Sequence, residues 1–541
     1  MSARYRPSEE VDFVVIGAGA AGGVMAKELS SSGFRVVVLE QGPYLKAKDF
    51  SHDEVDVIFR GAMTNGSARQ PQTFRKTPDE VAKPHMGAIY ARLVGGGSVH
   101  FTANYWRFHP EDFHELSMLG PIAGASLADW PITYDELEPF YTKAEWELGI
   151  SGLAGSNPFD GPRSKPYPLP PMPVKSSGVL FERGARKLGL HPFPAPVAVL
   201  SQPYRGRAAC THCGYCEAFG CEMNAKSSTL AALIPLAEKT GKCEIRPESY
   251  VRKIETDKKG RANAVVYFDR AGKEIRQRTK AVALCANGAE SPRLLLLSGI
   301  ANSSGLVGKH LMFDSGVYTL GLFEHEVNEH KSIVVTRVAH DYYATDPKRG
   351  FYGGGGLDSR MDFTQALFAT TALPADGPQW GLDWKRSIAE SFTHTSGILS
   401  HISCLSREQN SISLDPDLKD AWGLPAIRVT FQSHPDDKKV QHFLLDRQME
   451  ILEAAGARKK WNIPIEDITD SVHLMGTCRM GNDPRTSVVD RWNRSHDVRN
   501  LFIVDGSSLV TCGRQQPTET IQALAYRAAD YIAKAAARGE I

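Results

Sequence analysis

A chain of 541 residues with 42% hydrophobic and 23% charged side chains is ordinary globular material, too long for one small core and suited to two or three packed lobes. A formal net charge of +1 leaves no basic excess for a polyanion, so nucleic acid is excluded as a partner. No apolar stretch is long enough to span a bilayer, and the polar start MSARYRPSEEVDF has no signal core, so a membrane is reached only through a partner.

Residues 11–43 read as strand, glycine-rich turn, helix, strand and acid. The apolar run 13–16 suits a buried parallel strand. In Gly17-x-Gly19-x-x-Gly22, the first glycine permits the tight turn. The second lets backbone approach a pyrophosphate, and the third lets the helix pack on the strand. A helix over 20–31 aims the N–H groups of Ala20 and Ala21 at the phosphates. Strand 35–39 ends in Glu40, about 20 residues past the glycines, where a carboxylate accepts from ribose hydroxyls; Gln41 follows it. Glycine clusters arise by chance, but these parts in register predict a dinucleotide site.

Residues 91–108, ARLVGGGSVHFTANYWRF, place Gly95, Gly96, Gly97 and Ser98 among Arg92, His100, Asn104, Trp106 and Arg107. Three glycines in a row let backbone lie against something flat or charged. Together with the first stretch, this resembles the glucose–methanol–choline (GMC) family of FAD oxidoreductases, in which such a loop sits over the flavin. The spacing is similar to the subset whose histidine is bonded to the flavin 8α-methyl. His100 occupies that place, and the resemblance leaves covalent and noncovalent FAD both open.

Residues 130–200 are proline-rich, and 135–148 within them reads as one amphipathic helix carrying Phe140, Tyr141 and Trp146. Nine cysteines follow no disulfide pattern, since four crowd into twelve residues as Cys210-x2-Cys213-x2-Cys216-x4-Cys221. One loop can turn four such thiols to a single centre. The run CxxCxxC resembles the start of a ferredoxin-type cluster motif and points to iron–sulfur ahead of a structural zinc, whose ligands usually come as two separated knuckles. With the N-A-K-S-S run that follows, it is similar to the flavoprotein subunits of bacterial gluconate, glucose and fructose dehydrogenases and glucoside 3-dehydrogenases. That resemblance implies a [3Fe–4S] cluster ahead of [4Fe–4S].

A helix is expected over 226–239, capped by Ser227 or Ser228. A strand meander is expected over 244–279, and a return strand over 281–286. The turn at Ala286 and Asn287 resembles the second family signature, with Asn287 where many members have glycine, and implies a second backbone edge at the FAD. Pro292 near the start and Gly299 at the end frame the next helix. Strand patterns in 310–440, such as SGVYTLGLF and AIRVTFQS, predict an antiparallel sheet with helices on one side, roofing the flavin. A helix over 438–455 returns the chain.

Residues 473–481, HLMGTCRMG, match a third family motif, which implies that His473 stands at flavin N5 as the base for alcohol oxidation. An imidazole suits that role near neutral pH. The resemblance also brings Asp505 and Gly506 to the ribityl and pyrophosphate region. It puts Gln516, Pro517 and Thr518 at the head of the last helix, where the family carries His or Asn. Gln516 can donate to the substrate oxygen, while Glu519 replaces an apolar residue.

The fold expected is α/β, or α+β overall: a Rossmann-like FAD-binding domain with a substrate-binding domain on an antiparallel sheet. The FAD domain takes residues 1–115, 231–310 and 466–541. A proline-rich excursion takes 116–205, the cysteine-rich cluster loop 206–230, and the substrate domain 311–465. The expected function is an FAD-dependent dehydrogenase oxidising CH–OH of a sugar, glycoside or aldonate. Electrons would leave through the cluster to a cytochrome c or other acceptor. The resemblance adds a small partner subunit and export with it to the periplasm. The alternatives are an oxidase or non-sugar alcohol dehydrogenase with zinc at the cysteines, and a non-catalytic electron carrier.

Overall fold

A central sheet collects the strands that carry the first glycine motif. The computed structural model describes residues 4–314, 316–361 and 363–541. Its main sheet runs Cys243–Arg246, Val36–Leu39, Val11–Ile16, Glu274–Leu284, Ala262–Phe268 and Tyr250–Thr256, and Leu501–Ile503 also pairs with the end of Glu274–Leu284. The strands on either side of Val11–Ile16 are parallel to it. Every residue of Val36–Leu39 is buried, as an unbroken apolar run in a parallel sheet requires. The meander and the return strand are not separate. Glu274–Leu284 is one strand whose first half pairs antiparallel with Ala262–Phe268 and whose second half runs parallel to Val11–Ile16.

A second sheet, antiparallel throughout, orders Lys459–Asn462, Gly316–Leu322, Thr395–Ile402, Gly355–Ser359, Arg337–Ala339 and Phe193–Pro194. The helix Pro435–Ala455 packs on it, and Gln448 of that helix donates to the Val317 carbonyl at 2.9 Å and to Ser400 Oγ at 2.8 Å. The helix begins three residues before the expected 438 because the His434 ring accepts from the Asp436 N–H and caps it. The other strand pattern expected here belongs elsewhere. Pro425–Thr430 pairs with Ser411–Lys419 and with Gln72–Arg75, in a third sheet that packs against the helix Asn287–Ser298.

The proline-rich region contributes to both lobes. The helix Ser176–Lys187 lies against Pro435–Ala455, whereas Tyr134–Leu148 packs on the last helix, Thr518–Ala537. Thr133 caps Tyr134–Leu148 by accepting from the Glu136 N–H. This helix holds an ionic knot below the site. Arg107 donates from Nε and Nη2 to the two Glu145 oxygens, each at 2.9 Å, and from Nη1 to Glu138 at 3.0 Å; Arg163 reaches the same Glu145 at 2.7 Å. Glu519 lies 3.8 Å from Arg107 Nε. Burial and the adjacent Glu145 carboxylate push Glu519 far up, so it is held as a neutral acid. That is how a glutamate occupies a position expected to be apolar. Replacing Arg107 by Met leaves Glu145 buried with one cationic partner fewer. The expected loss is about 3–5 kcal/mol of folding stability, read from denaturant unfolding; an unchanged midpoint would show that the knot contributes nothing net.

Candidate active site

The turn that carries Gly17, Gly19 and Gly22 is shaped by close backbone approach. Gly17 sits at φ +92°, where a Cβ would stand 2.4 Å from the Cys285 carbonyl oxygen. A Cβ on Gly22 would stand 1.9 Å from the Gly17 carbonyl oxygen. Gly19 caps the helix Ala20–Ser31 with no side-chain partner and no acid in the first turn, leaving the N–H groups of that turn for an anion. Opposite Gly19 stands Gly96, at φ +54°, where a Cβ would come 2.6 Å from the Gly19 Cα. The two loops are joined by the Gly95 N–H donating to the Ala18 carbonyl at 2.9 Å. Ser98 Oγ donates to the Gly95 carbonyl at 2.6 Å and accepts from the Thr229 N–H at 3.1 Å. Gly97, by contrast, has open space around it.

Glu40 is buried at the end of its strand, accepting from the Ala18 and Gly42 N–H groups, each at 2.9 Å. Burial raises its carboxyl to about 7 against those bonds and the nearby Arg92 charge. Gln41 is bonded to Gln70. Around the loop, several buried polar atoms have no protein partner: Arg92 Nε, His100 Nε2 and both amide atoms of Asn104. Burial, and next the Lys226 ammonium, push His100 down to about 4, so its ring is neutral at pH 7.

Asn287 lies at φ +79°, the conformation glycine would supply, and its Oδ1 accepts from the Ala289 and Glu290 N–H groups at 2.9 and 3.1 Å. The asparagine is thus a self-capping substitute for glycine at the head of Asn287–Ser298, whose N-cap is Ala286. Asp505 is a structural tie. It accepts from Ser291 Oγ, Ser507 Oγ and the Asn287 and Ser507 N–H groups, joining the two turns. Gly506 approaches the Leu474 carbonyl, where a Cβ would stand at 2.7 Å.

The HLMGTCRMG segment runs along the same turn, with the Gly476 N–H donating to the Gly506 carbonyl and the Cys478 N–H to the Ser507 carbonyl. His473 Nδ1 lies 3.0 Å from Asp314 Oδ2, and His401 Nδ1 lies 3.4 Å from Asp314 Oδ1. Asp314 is buried, and the three polar atoms lie within 4.8 Å of one another. Burial alone would raise the Asp314 carboxyl, but the two imidazoles outweigh it and hold it below the usual carboxylate range. An ionised carboxylate only accepts, so the neutral His473 ring carries its proton on Nδ1 and has its lone pair on Nε2. Gln516 is buried, with neither amide atom bonded to protein. Pro517 and Thr518 begin the last helix.

The four cysteines share one loop, with Cys213 exposed and Cys216 buried. Each of Cys210 and Cys216 feels the charge of other cysteines in the loop, and burial pushes Cys216 up to about 12. Among the described residues, these sulfurs do not reach the spacing of a shared single ion. Lys226, buried and absent from the helix expected over 226–239, donates to the carbonyls of Phe101 at 3.1 Å and of Cys216 and Phe219 at 2.7 Å. The Ala218 N–H donates to the His100 carbonyl. The helix itself starts at Thr229, capped by Ser228, and breaks at Leu233 before Pro235. Sequence reasoning missed the roles of Lys226, Thr229, Asp314 and His401; only Lys226 lay in a flagged run.

The segment 11–314 matches the N-terminal model of the GMC oxidoreductase family, and 406–525 matches the C-terminal one. The chain is a GMC oxidoreductase. It is 33% identical to 2-methyl-1,2-propanediol dehydrogenase of Mycolicibacterium austroafricanum, over 97% of this chain and 96% of the relative. It is 31% identical to the fructose dehydrogenase large subunit of Gluconobacter japonicus, over 96% and 97%. With the gluconate 2-dehydrogenase flavoprotein of Pantoea cypripedii the identity is 29% over 97% and 94%. In fold, this GMC oxidoreductase is similar to a formate oxidase of Aspergillus oryzae, with a TM-score of 0.65 at 15% identity over 99% and 100% of the two chains. It is an FAD-dependent enzyme acting on CH–OH groups. The residues fit that cofactor: an uncapped helix N-terminus, a cradle of glycines without Cβ atoms, and unpaired polar atoms on Arg92, His100 and Asn104.

The Glu40 shift has a sign that can be measured. The folded apoprotein binds this proton more tightly than the unfolded chain does. Its stability therefore falls as pH rises from about 4.5 to about 7, by about 3 kcal/mol from this group. In Glu40→Gln the apoprotein melting temperature should fall less over that range, while FAD binds more weakly. Parallel pH profiles for the two proteins would contradict the assignment.

Proposed function

We propose that this GMC oxidoreductase is a dehydrogenase of a sugar, glycoside or aldonate CH–OH. Its electrons would leave through an iron–sulfur cluster held by cysteines of the 210–221 loop. The observation that carries this reading is the bonding of the cysteine loop to the flavin loop through Lys226 and the Ala218 N–H. A short, bonded connection between a flavin site and a thiol cluster suits stepwise electron removal, which a direct reaction with oxygen does not need. The gluconate and fructose relatives supply the substrate class, and the second, itself a large subunit, supports a small partner. With that partner come export to the periplasm and a cytochrome or other acceptor. The diol dehydrogenase relative favours a second reading, in which the substrate is a small diol.

Bound FAD would supply the hydride acceptor at its N5, and a cluster would supply a one-electron centre between it and the external acceptor. The protein's part is proton and oxygen handling. Nε2 of His473 takes the hydroxyl proton as the C–H bond yields its hydride, so the CH–OH becomes a carbonyl without passing through a free alkoxide. Gln516 donates its buried amide N–H to the same oxygen. Asp314 holds the His473 ring in the tautomer this needs. His100, neutral and buried, is the residue through which FAD would be bonded if the link is covalent.

Anaerobic mixing of the holoprotein with sugars, aldonates and small diols tests the reading. One compound should bleach the flavin, and reoxidation should be fast with an artificial acceptor and slow with O2, with little peroxide formed. Rapid stoichiometric peroxide would favour an oxidase. His473→Ala should bind FAD and lose bleaching by about 10²-fold or more, and Asp314→Asn should lose a comparable share. Bleaching at the unmodified rate in His473→Ala would remove the base assignment.

A further inference from the structure

Asp314 carries two imidazoles, one on each oxygen, and the function above uses only one of them. His401 comes from the sheet of the other lobe. Its strand, Thr395–Ile402, pairs residue for residue with Gly316–Leu322, which begins just past Asp314. The pairing sets His401 opposite Gly316, where a Cβ would stand 2.7 Å from the Ser400 carbonyl oxygen. The ring centroids of His401 and His473 stand 5.6 Å apart, tilted by 43°. Both rings face an ionised carboxylate through Nδ1, so in its neutral form each carries the proton there and presents Nε2 as an acceptor. His401 Nε2 is buried and has no hydrogen-bond partner in the protein. A buried acceptor left unpaired costs about 1–3 kcal/mol, so such an atom beside a catalytic base is built for a donor that arrives with the ligand.

We infer that the Asp314-centred pair of imidazoles recognises a vicinal diol: His473 takes the proton of the reacting hydroxyl, and His401 accepts a hydrogen bond from the hydroxyl on the adjacent carbon. The inference rests on His473 as the base and deepens the proposed function by naming what the substrate must carry beside the oxidised carbon. Two acceptors on neighbouring rings match two adjacent O–H donors. A substrate lacking the second hydroxyl leaves His401 Nε2 desolvated and empty, which is the condition under which a site discriminates most strongly. His401 makes no bond to the reacting atoms; it sets specificity.

The test uses two matched pairs on the FAD-loaded protein: propane-1,2-diol against propan-1-ol, and D-gluconate against 3-deoxy-D-gluconate. For each compound, kcat/KM is measured from flavin reduction, and Kd from perturbation of the flavin bands. The unmodified protein should prefer the hydroxylated member of at least one pair by about 10- to 100-fold. In His401→Leu that ratio should fall to within about threefold. In His401→Gln, which keeps an acceptor, much of it should return, which a loss of folding would not allow. A full ratio retained in His401→Leu, or no preference in the unmodified protein by either measure, overturns the inference. Tight diol binding without oxidation would sink the dehydrogenase reading and leave this one standing. Equal oxidation of both members would do the reverse.

Discussion

The site depends on two backbones meeting at Gly19 and Gly96. A single Cβ on Gly96 would stand 2.6 Å from the Gly19 Cα, a distance that real contacts do not show. That approach sets the 95–100 loop over the free N-terminus of the helix Ala20–Ser31 and makes one surface from two distant segments. Ser98 extends it to Thr229, and Lys226, just upstream, extends it to the cysteine loop. The glycine turn, the 95–100 loop and the cysteine loop are consequently one hydrogen-bonded body, and the position of each is set by the others.

The reacting end is organised on a different logic. There the anchor is a buried charge. Asp314 stands at the junction of the strand Met312–Phe313 with the antiparallel sheet, and its two oxygens hold rings from two distant segments. Burying a carboxylate is costly unless hydrogen bonds compensate it. Here the compensation is supplied by imidazole N–H groups, which the same bonds orient. The ionic knot of Arg107, Glu145, Arg163 and Glu519 gives rigid support beneath the last helix, whose first residues follow Gln516.

The glycine turns and the nearby carboxylate were legible in the sequence because each imposes a local requirement, a positive φ, an absent Cβ or a fixed spacing, while the HLMGTCRMG segment was legible through its resemblance to a family motif. Asn287 was legible only as a departure; its φ of +79° and its bonds to the next N–H groups give the reason. Asp314 and His401 were not legible. They lie 87 residues apart with no motif around either, and only the pairing of Gly316–Leu322 with Thr395–Ile402 brings them together. The same non-local pairing misled the reading of 425–430, whose alternating pattern is correct for a strand but says nothing of its partner, Gln72–Arg75. Lys226 looked like a helix residue because its partners, three carbonyls from two other loops, leave no trace in its own neighbourhood.

The claim that flavin and thiols form one electron-carrying unit is tested most directly by metal and FAD analysis of the purified protein, with an electron paramagnetic resonance spectrum of the oxidised and reduced states. One FAD and about three or four irons per chain are expected, with a cluster signal that changes when substrate reduces the flavin. One FAD with zinc, or with no metal at all, would contradict the claim.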